Sequence, residues 1–199
     1  MKVQYLVVNG ILSKPSSIDS WTDVFEDEYQ NRGYPCTRYE YFSGALTRWM
    51  FQGQRVKDLY KICCRSKMPL VYVGHSNGCE LFSRLVKEHD VQFEAAHLFS
   101  AAVDSDFRKN GFNSVLFSGR VKKLHLYCSK GDRVLRDLAS KTEWLNRFGL
   151  GYGKLGYTGP RYLSKTLQKH VSVINHDSFD HSDWFKGDQI IKSLEMTLK

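Results

Sequence analysis

The sequence predicts an α/β fold built on a largely parallel sheet, and three observations carry that prediction. Short apolar or β-branched runs alternate with segments of helical periodicity, and six candidate strands are separated this way. Several runs end in glycine- or asparagine-containing turns such as Asn9-Gly10 and Gly74 to Gly78, the places where an α/β chain turns from strand to helix. The apolar runs are of strand length, well short of the 18 or more residues that a membrane span requires. At 199 residues and 42% hydrophobic content, the chain can bury a core and is expected to form one domain over residues 1–199.

The elements follow in order. Residues 3–8 read as a buried strand that ends at Asn9-Gly10. Residues 18–31 place Ile18, Trp21, Phe25 and Tyr29 at helical spacing, with Ser16 or Ser17 as the cap and Gly33-Tyr34-Pro35 as the stop. Residues 37–42 form a second strand, and residues 54–64 a second helix with Val56, Leu59, Tyr60 and Cys63 on one face. After Met68-Pro69, residues 70–73 form a third strand and residues 80–88 a helix. Further strands are expected at 95–101, 123–128 and 171–174, and helices at 134–147 and 187–198. Residues 149–160 contain too many glycines for helix or strand interior and read as a specialised loop, either a packed connection whose glycines take positive φ or a wall or small lid over a site. Strands in this pattern are joined by right-handed crossovers, with helices on both faces and functional loops at the carboxyl ends of the strands.

Composition narrows the function classes. Met1-Lys2 followed by a five-residue apolar run is too short for a signal peptide, so a cytoplasmic location is expected. Cys36, Cys63, Cys64, Cys79 and Cys128 show no Cys-x-x-Cys spacing and are expected to be buried free thiols. The net charge of +8 is concentrated in residues 101–170, which hold 14 Lys/Arg against 5 Asp/Glu. Such a segment is either a solvated surface or a field for an anionic substrate or surface, such as phospholipid head groups or an acidic polymer ester. No nucleic-acid recognition motif accompanies it, and no nucleic-acid partner is expected.

The chemistry centres on Gly74-His75-Ser76-Asn77-Gly78. This Gly-x-Ser-x-Gly lies directly between a predicted strand and a predicted helix, the context of a nucleophile elbow. The turn presents the serine in a strained conformation, and its glycines remove Cβ atoms that would clash as the chain doubles back. The N–H of Asn77, at the helix start, points where an acyl oxygen would become negative.

At these residues the sequence resembles the α/β-hydrolase superfamily, in which serine, acid and histidine follow in that chain order. The resemblance extends over nearly the whole chain, which begins at a strand like the superfamily's third and leaves little room for a helical cap between Ser100 and Lys122. It implies Ser76 as nucleophile, Asp132 in Gly131-Asp132-Arg133-Val134 as the acid, and His181 in His181-Ser182-Asp183-Trp184-Phe185 as general base. Asp104 is the reserve acid and His176 the reserve base, while Asp132 has an alternative role as a helix cap. Asp180 stands where the superfamily commonly has glycine before the histidine. Gly10 or Ile11 is expected to supply the second oxyanion N–H, with the Asn9 side-chain amide as a further contributor, and His75 to line the site; His97 and His125 are packing or site-lining residues.

No metal constellation and no phosphate-binding loop compete with this reading, so no cofactor is implied. The expected activity is serine-dependent cleavage of a small-molecule or lipid-like carboxylic ester at an open site. Esterase, lipase, thioesterase and acyltransferase stay unseparated. The alternative is a catalytically silent fold used to bind a ligand or partner.

Overall fold

A computed structural model describes residues 2–10, 20–41, 50–142 and 152–198. Six strands form one sheet: β1 (Gln4–Val8), β2 (Cys36–Tyr39), β3 (Leu70–His75), β4 (Phe93–Phe99), β5 (Val121–Cys128) and β6 (Val171–Asn175). Their order is β2-β1-β3-β4-β5-β6, and every neighbouring pair is parallel. Between and after them run α1 (Trp21–Asn31), α2 (Gln52–Arg65), α3 (Asn77–Glu88), α4 (Phe112–Phe117), α5 (Arg133–Lys141), α6 (Leu155–Thr158) and α7 (Gln189–Thr197).

Alternation along each strand divides the core into two layers. Leu6, Val8, Tyr72, Leu98 and Leu126 face α2, α3 and α4, whose Val56, Leu59, Phe82, Leu85 and Val115 cover them. Tyr5, Val7, Val73, Phe99 and Tyr127 face Phe25 and Tyr29 of α1 and Leu194 of α7. All six residues of β3 are buried, as a central parallel strand covered on both sides requires. The register aligns Val8 with Gly74, Gly74 with Leu98 and Leu98 with Leu126, so the loops after β1, β3, β4 and β5 emerge together at one edge.

Several expectations are corrected. Helix α1 begins at Trp21, not Ile18, because Ser20 is its cap. The Asp23 N–H donates to Ser20 Oγ and the Ser20 N–H to Asp23 Oδ2, a reciprocal capping box. The proposed caps Ser16 and Ser17 lie outside the described residues. The third helix starts at Asn77, three residues earlier than read, and α4 and the 3-10 turns Lys165–His170 and Asp183–Phe185 were not anticipated. The glycine-rich stretch does contain a helical turn, α6. Cys63, Cys79 and Cys128 are buried, but Cys64 is exposed and Cys36 half-buried.

Candidate active site

The turn after β3 is held by close backbone contact. Ser76 has φ 53° and ψ −117°, an unusual conformation for a residue with a side chain. A Cβ on Gly78 would stand 2.7 Å from the carbonyl oxygens of both Val8 and Asn9, and one on Gly74 would stand 2.7 Å from the Tyr72 ring. The two glycines are therefore needed because the elbow is pressed against β1 and β3. The Tyr72 hydroxyl donates to the Gly78 carbonyl at 2.7 Å. The Ser76 N–H donates to Phe99 O, and the Ser76 carbonyl accepts from Cys79 and Ala102, tying the elbow to the end of β4.

Ser76, His181 and Asp132 come together in one hydrogen-bonded chain. His181 Nε2 is 2.8 Å from Ser76 Oγ, and His181 Nδ1 is 2.9 Å from Asp132 Oδ2. With Nδ1–H donating to the carboxylate, Nε2 presents its lone pair to the serine proton, the tautomer a general base needs. Asp132 is fully buried, and its other oxygen, Oδ1, accepts the Leu135 N–H at 2.9 Å. It is thus both the partner of His181 and the cap of α5. A carboxylate has two oxygens, so one can face His181 while the other caps the helix.

The reserve residues lie elsewhere. Asp104 is exposed and accepts the Asp106 N–H. His176 is exposed, its ring stacked on Phe179 at 3.4 Å. His97 and His125 stack on each other at 4.5 Å within the sheet, where His97 Nδ1 meets the Tyr127 hydroxyl, so both are packing residues and neither joins the serine.

His75 does belong to the site. Its Nε2–H donates to the His181 carbonyl at 3.0 Å, and its ring lies 4.8 Å from that of His181. Trp21 and Phe185 meet it edge-on. Burial, reinforced by the nearness of His181, pushes its pKa down to about 3, so the ring is neutral at physiological pH.

Gly10 packs directly against Ser76: a Cβ there would be 2.9 Å from Ser76 Cβ. Asn9 is buried, with its Oδ1 unpaired among the described residues, and Ile11 falls outside them. Asn77 opens the twelve-residue α3, and its side-chain amide donates to the buried Tyr41 hydroxyl at 2.8 Å. The favourable end of the α3 dipole therefore faces Ser76.

The described part of the glycine-rich stretch forms a wall. A Cβ on Gly153 would fall 1.8 Å from Val103 C, and one on Gly156 2.3 Å from Ala101 N. Bare backbone is wedged between the loops after β4 and β5, with Leu155 N–H donating to Val103 O, Gly156 N–H to Ala101 O, and Ser129 N–H to Gly156 O. This strip steadies the loop that carries Asp132. Residues 149–151 lie outside the described residues.

Two contributors escaped the sequence reading. Gly131 lets the loop of Asp132 touch the loop of His181, since a Cβ there would be 2.8 Å from Ser178 C and Phe179 O. Asp180 links the same two loops through Arg133. A glycine immediately before Asp132 was the available signal for the first; for the second the signal was only that Asp180 replaces the usual glycine, with nothing to name its partner.

No protein-family model matches the chain, and no curated protein matches it in sequence. Solved structures do. A protein from Xanthomonas campestris pv. campestris assigned to the alpha/beta hydrolase superfamily superposes with a TM-score of 0.58 at 12% identity, over 98% of this chain and 95% of that one. A YdeN-like protein assigned as a hydrolase, from Pectobacterium atrosepticum, gives 0.56 at 11% identity over 99% and 91%. A pyrethroid hydrolase from Sphingobium faniae gives 0.53 at 12% identity over 100% and 96%. With its parallel six-stranded sheet and no large cap among the described residues, this chain has the α/β-hydrolase fold over nearly its whole length.

Proposed function

We propose that the protein is a serine hydrolase that cleaves a carboxylic ester through an acyl-enzyme. The observation that carries this reading is the unbroken chain from Asp132 through His181 to Ser76. Ser76 Oγ attacks the carbonyl carbon as His181 Nε2 takes its proton, and Asp132 stabilises the imidazolium formed. The N–H of Asn77 and one from the Gly10–Ile11 loop receive the oxyanion. Collapse returns the proton to the leaving alcohol; water, activated by the same histidine, then releases the acid and restores Ser76.

The substrate is a small-molecule or lipid-like ester. In the positive segment, five of the fourteen cations that could favour an anionic one are ion-paired among the described residues. Arg108, Arg120, Lys122, Arg133 and Arg136 each lie against an acidic partner. Among the described residues no helix is long and apolar enough to cross a membrane.

Fluorophosphonate labelling followed by peptide mapping tests the reading without knowledge of the substrate. Labelling confined to Ser76, and lost in Ser76→Ala and His181→Ala, is the expected result. Folded wild-type protein that stays unlabelled would overturn it and favour a catalytically silent ligand-binding module.

A further inference from the structure

The candidate acid and base sit on separate loops, after β5 and after β6, and no covalent constraint sets their spacing. Asp180 spans the gap. Its Oδ1 accepts the backbone N–H of His181 at 2.8 Å and that of Arg133 at 3.1 Å; its Oδ2 accepts Nε and Nη2 of Arg133 at 3.0 and 2.7 Å. One carboxylate thus joins the residue after the acid to the base itself. The Asp180 N–H donates to Asp183 Oδ2 at 2.8 Å, anchoring the latch to the following 3-10 turn. The opposite side of the base is held too, by His75 on the His181 carbonyl.

Resting on the serine-hydrolase reading, we infer that Asp180, gripped by Arg133, is a positioning residue that sets the separation of Asp132 and His181. An ordinary surface ion pair is the competing description. Three features distinguish the latch from one: both carboxylate oxygens are used, two of the four donors are backbone amides, and one of those amides belongs to the base. Burial works to raise the Asp180 pKa, but the Arg133 guanidinium and the amides of His181 and Arg133 outweigh it and hold the carboxyl below its ordinary range. Asp180 is therefore an anion at neutral pH. The Arg133 side chain is 70% exposed, so losing the pair should barely alter stability. Its effect should appear in geometry, to which acyl transfer is far more sensitive.

Arg133→Gln, Asp180→Asn, the double variant and Arg133→Lys separate the possibilities. The readouts are the rate of Ser76 phosphonylation, the ring-nitrogen NMR shifts of His181, and the melting temperature. Each single loss should slow labelling about tenfold and move His181 toward its Nε2–H tautomer, with melting changed by no more than about 2 °C. The double variant should be no slower than the singles, because both remove one linkage, and Arg133→Lys should recover part of the rate. Unchanged labelling and unchanged His181 shifts in Arg133→Gln and Asp180→Asn would overturn the latch. If wild-type protein is not labelled, the hydrolase reading fails separately. The His181 shifts then decide the latch alone: unmoved shifts overturn it and displaced shifts uphold it.

Discussion

Replacing Gly10 with alanine asks whether the loop after β1 is built against the nucleophile. The new Cβ would stand 2.9 Å from Ser76 Cβ and 3.4 Å from both Nδ1 and the carbonyl oxygen of His75. Carbon atoms in contact settle at about 3.5–4.0 Å, so relief requires about 0.6–1 Å of movement by one of the two loops. The backbone of Gly10 is not in the left-handed region, so alanine adds no conformational strain and the clash is the whole perturbation. If the β1 loop retreats, it takes the proposed oxyanion donor with it, a loss of about 10²- to 10³-fold in rate. If Ser76 retreats instead, an error of about 1 Å in the nucleophile costs about 10²-fold. Both routes lead to labelling slowed by about 100-fold in a protein that still folds. The assay is the second-order rate of fluorophosphonate labelling, with thermal melting alongside. Wild-type labelling by a Gly10→Ala protein of unchanged melting temperature would refute the placement of this loop.

Asp132→Asn should separate the two duties of that residue: its amide oxygen can still accept the Leu135 N–H, but the lost charge and altered tautomer of His181 should reduce labelling by about 10⁴-fold with little change in melting. Equal labelling by Asp132→Asn and wild type would remove Asp132 from the mechanism. Acid sensitivity follows from His75, whose pKa falls from 6.5 to about 3 on folding. Below about pH 6.5 the unfolded chain binds a proton that the folded chain refuses, so this residue's stability is intact above that pH and declines toward about pH 3, by at most about 1.4 kcal/mol per pH unit. Denaturant unfolding between about pH 7 and about pH 4.5 should show the decline, and His75→Gln should flatten it; a slope unaffected by the substitution would show that His75 is not held neutral by burial.

The elements that were legible are those whose causes are local. Gly74 and Gly78 mark the elbow because a Cβ at the first would meet the Tyr72 ring and one at the second the end of β1. Strand alternation and the helical faces of α2 and α3 were equally readable, since burial on one side imposes their period. The misplaced start of α1 had a readable cause as well, Ser20 and Asp23 at capping-box spacing, but the earlier serines offered a competing cap. What could not be read was contact between distant segments. The glycines at 153 and 156 looked like conformational freedom, yet neither has positive φ; they are required by the backbones of Val103 and Ala101, some fifty residues away. Asp180 was visible only as a departure from the usual glycine, because its partner Arg133 lies 47 positions earlier in the chain.

These contacts share a logic. The site must hold a serine, a histidine and an aspartate that come from three loops, and a loop fixed only at its strand ends would drift. Each loop is therefore secured to its neighbour by backbone groups as well as side chains. The elbow carbonyl of Ser76 holds Ala102; the glycine-rich strip bonds to Ala101 and Ser129 on either side; and Ser129 Oγ donates to Phe179 O in the base loop. Asp132 completes the sequence by capping α5 with the oxygen that does not face His181, so the helix and the His181 ring are held by one buried carboxylate. A change that frays the first turn of α5 must then also loosen the hydrogen bond to His181, and activity should be lost before the fold is.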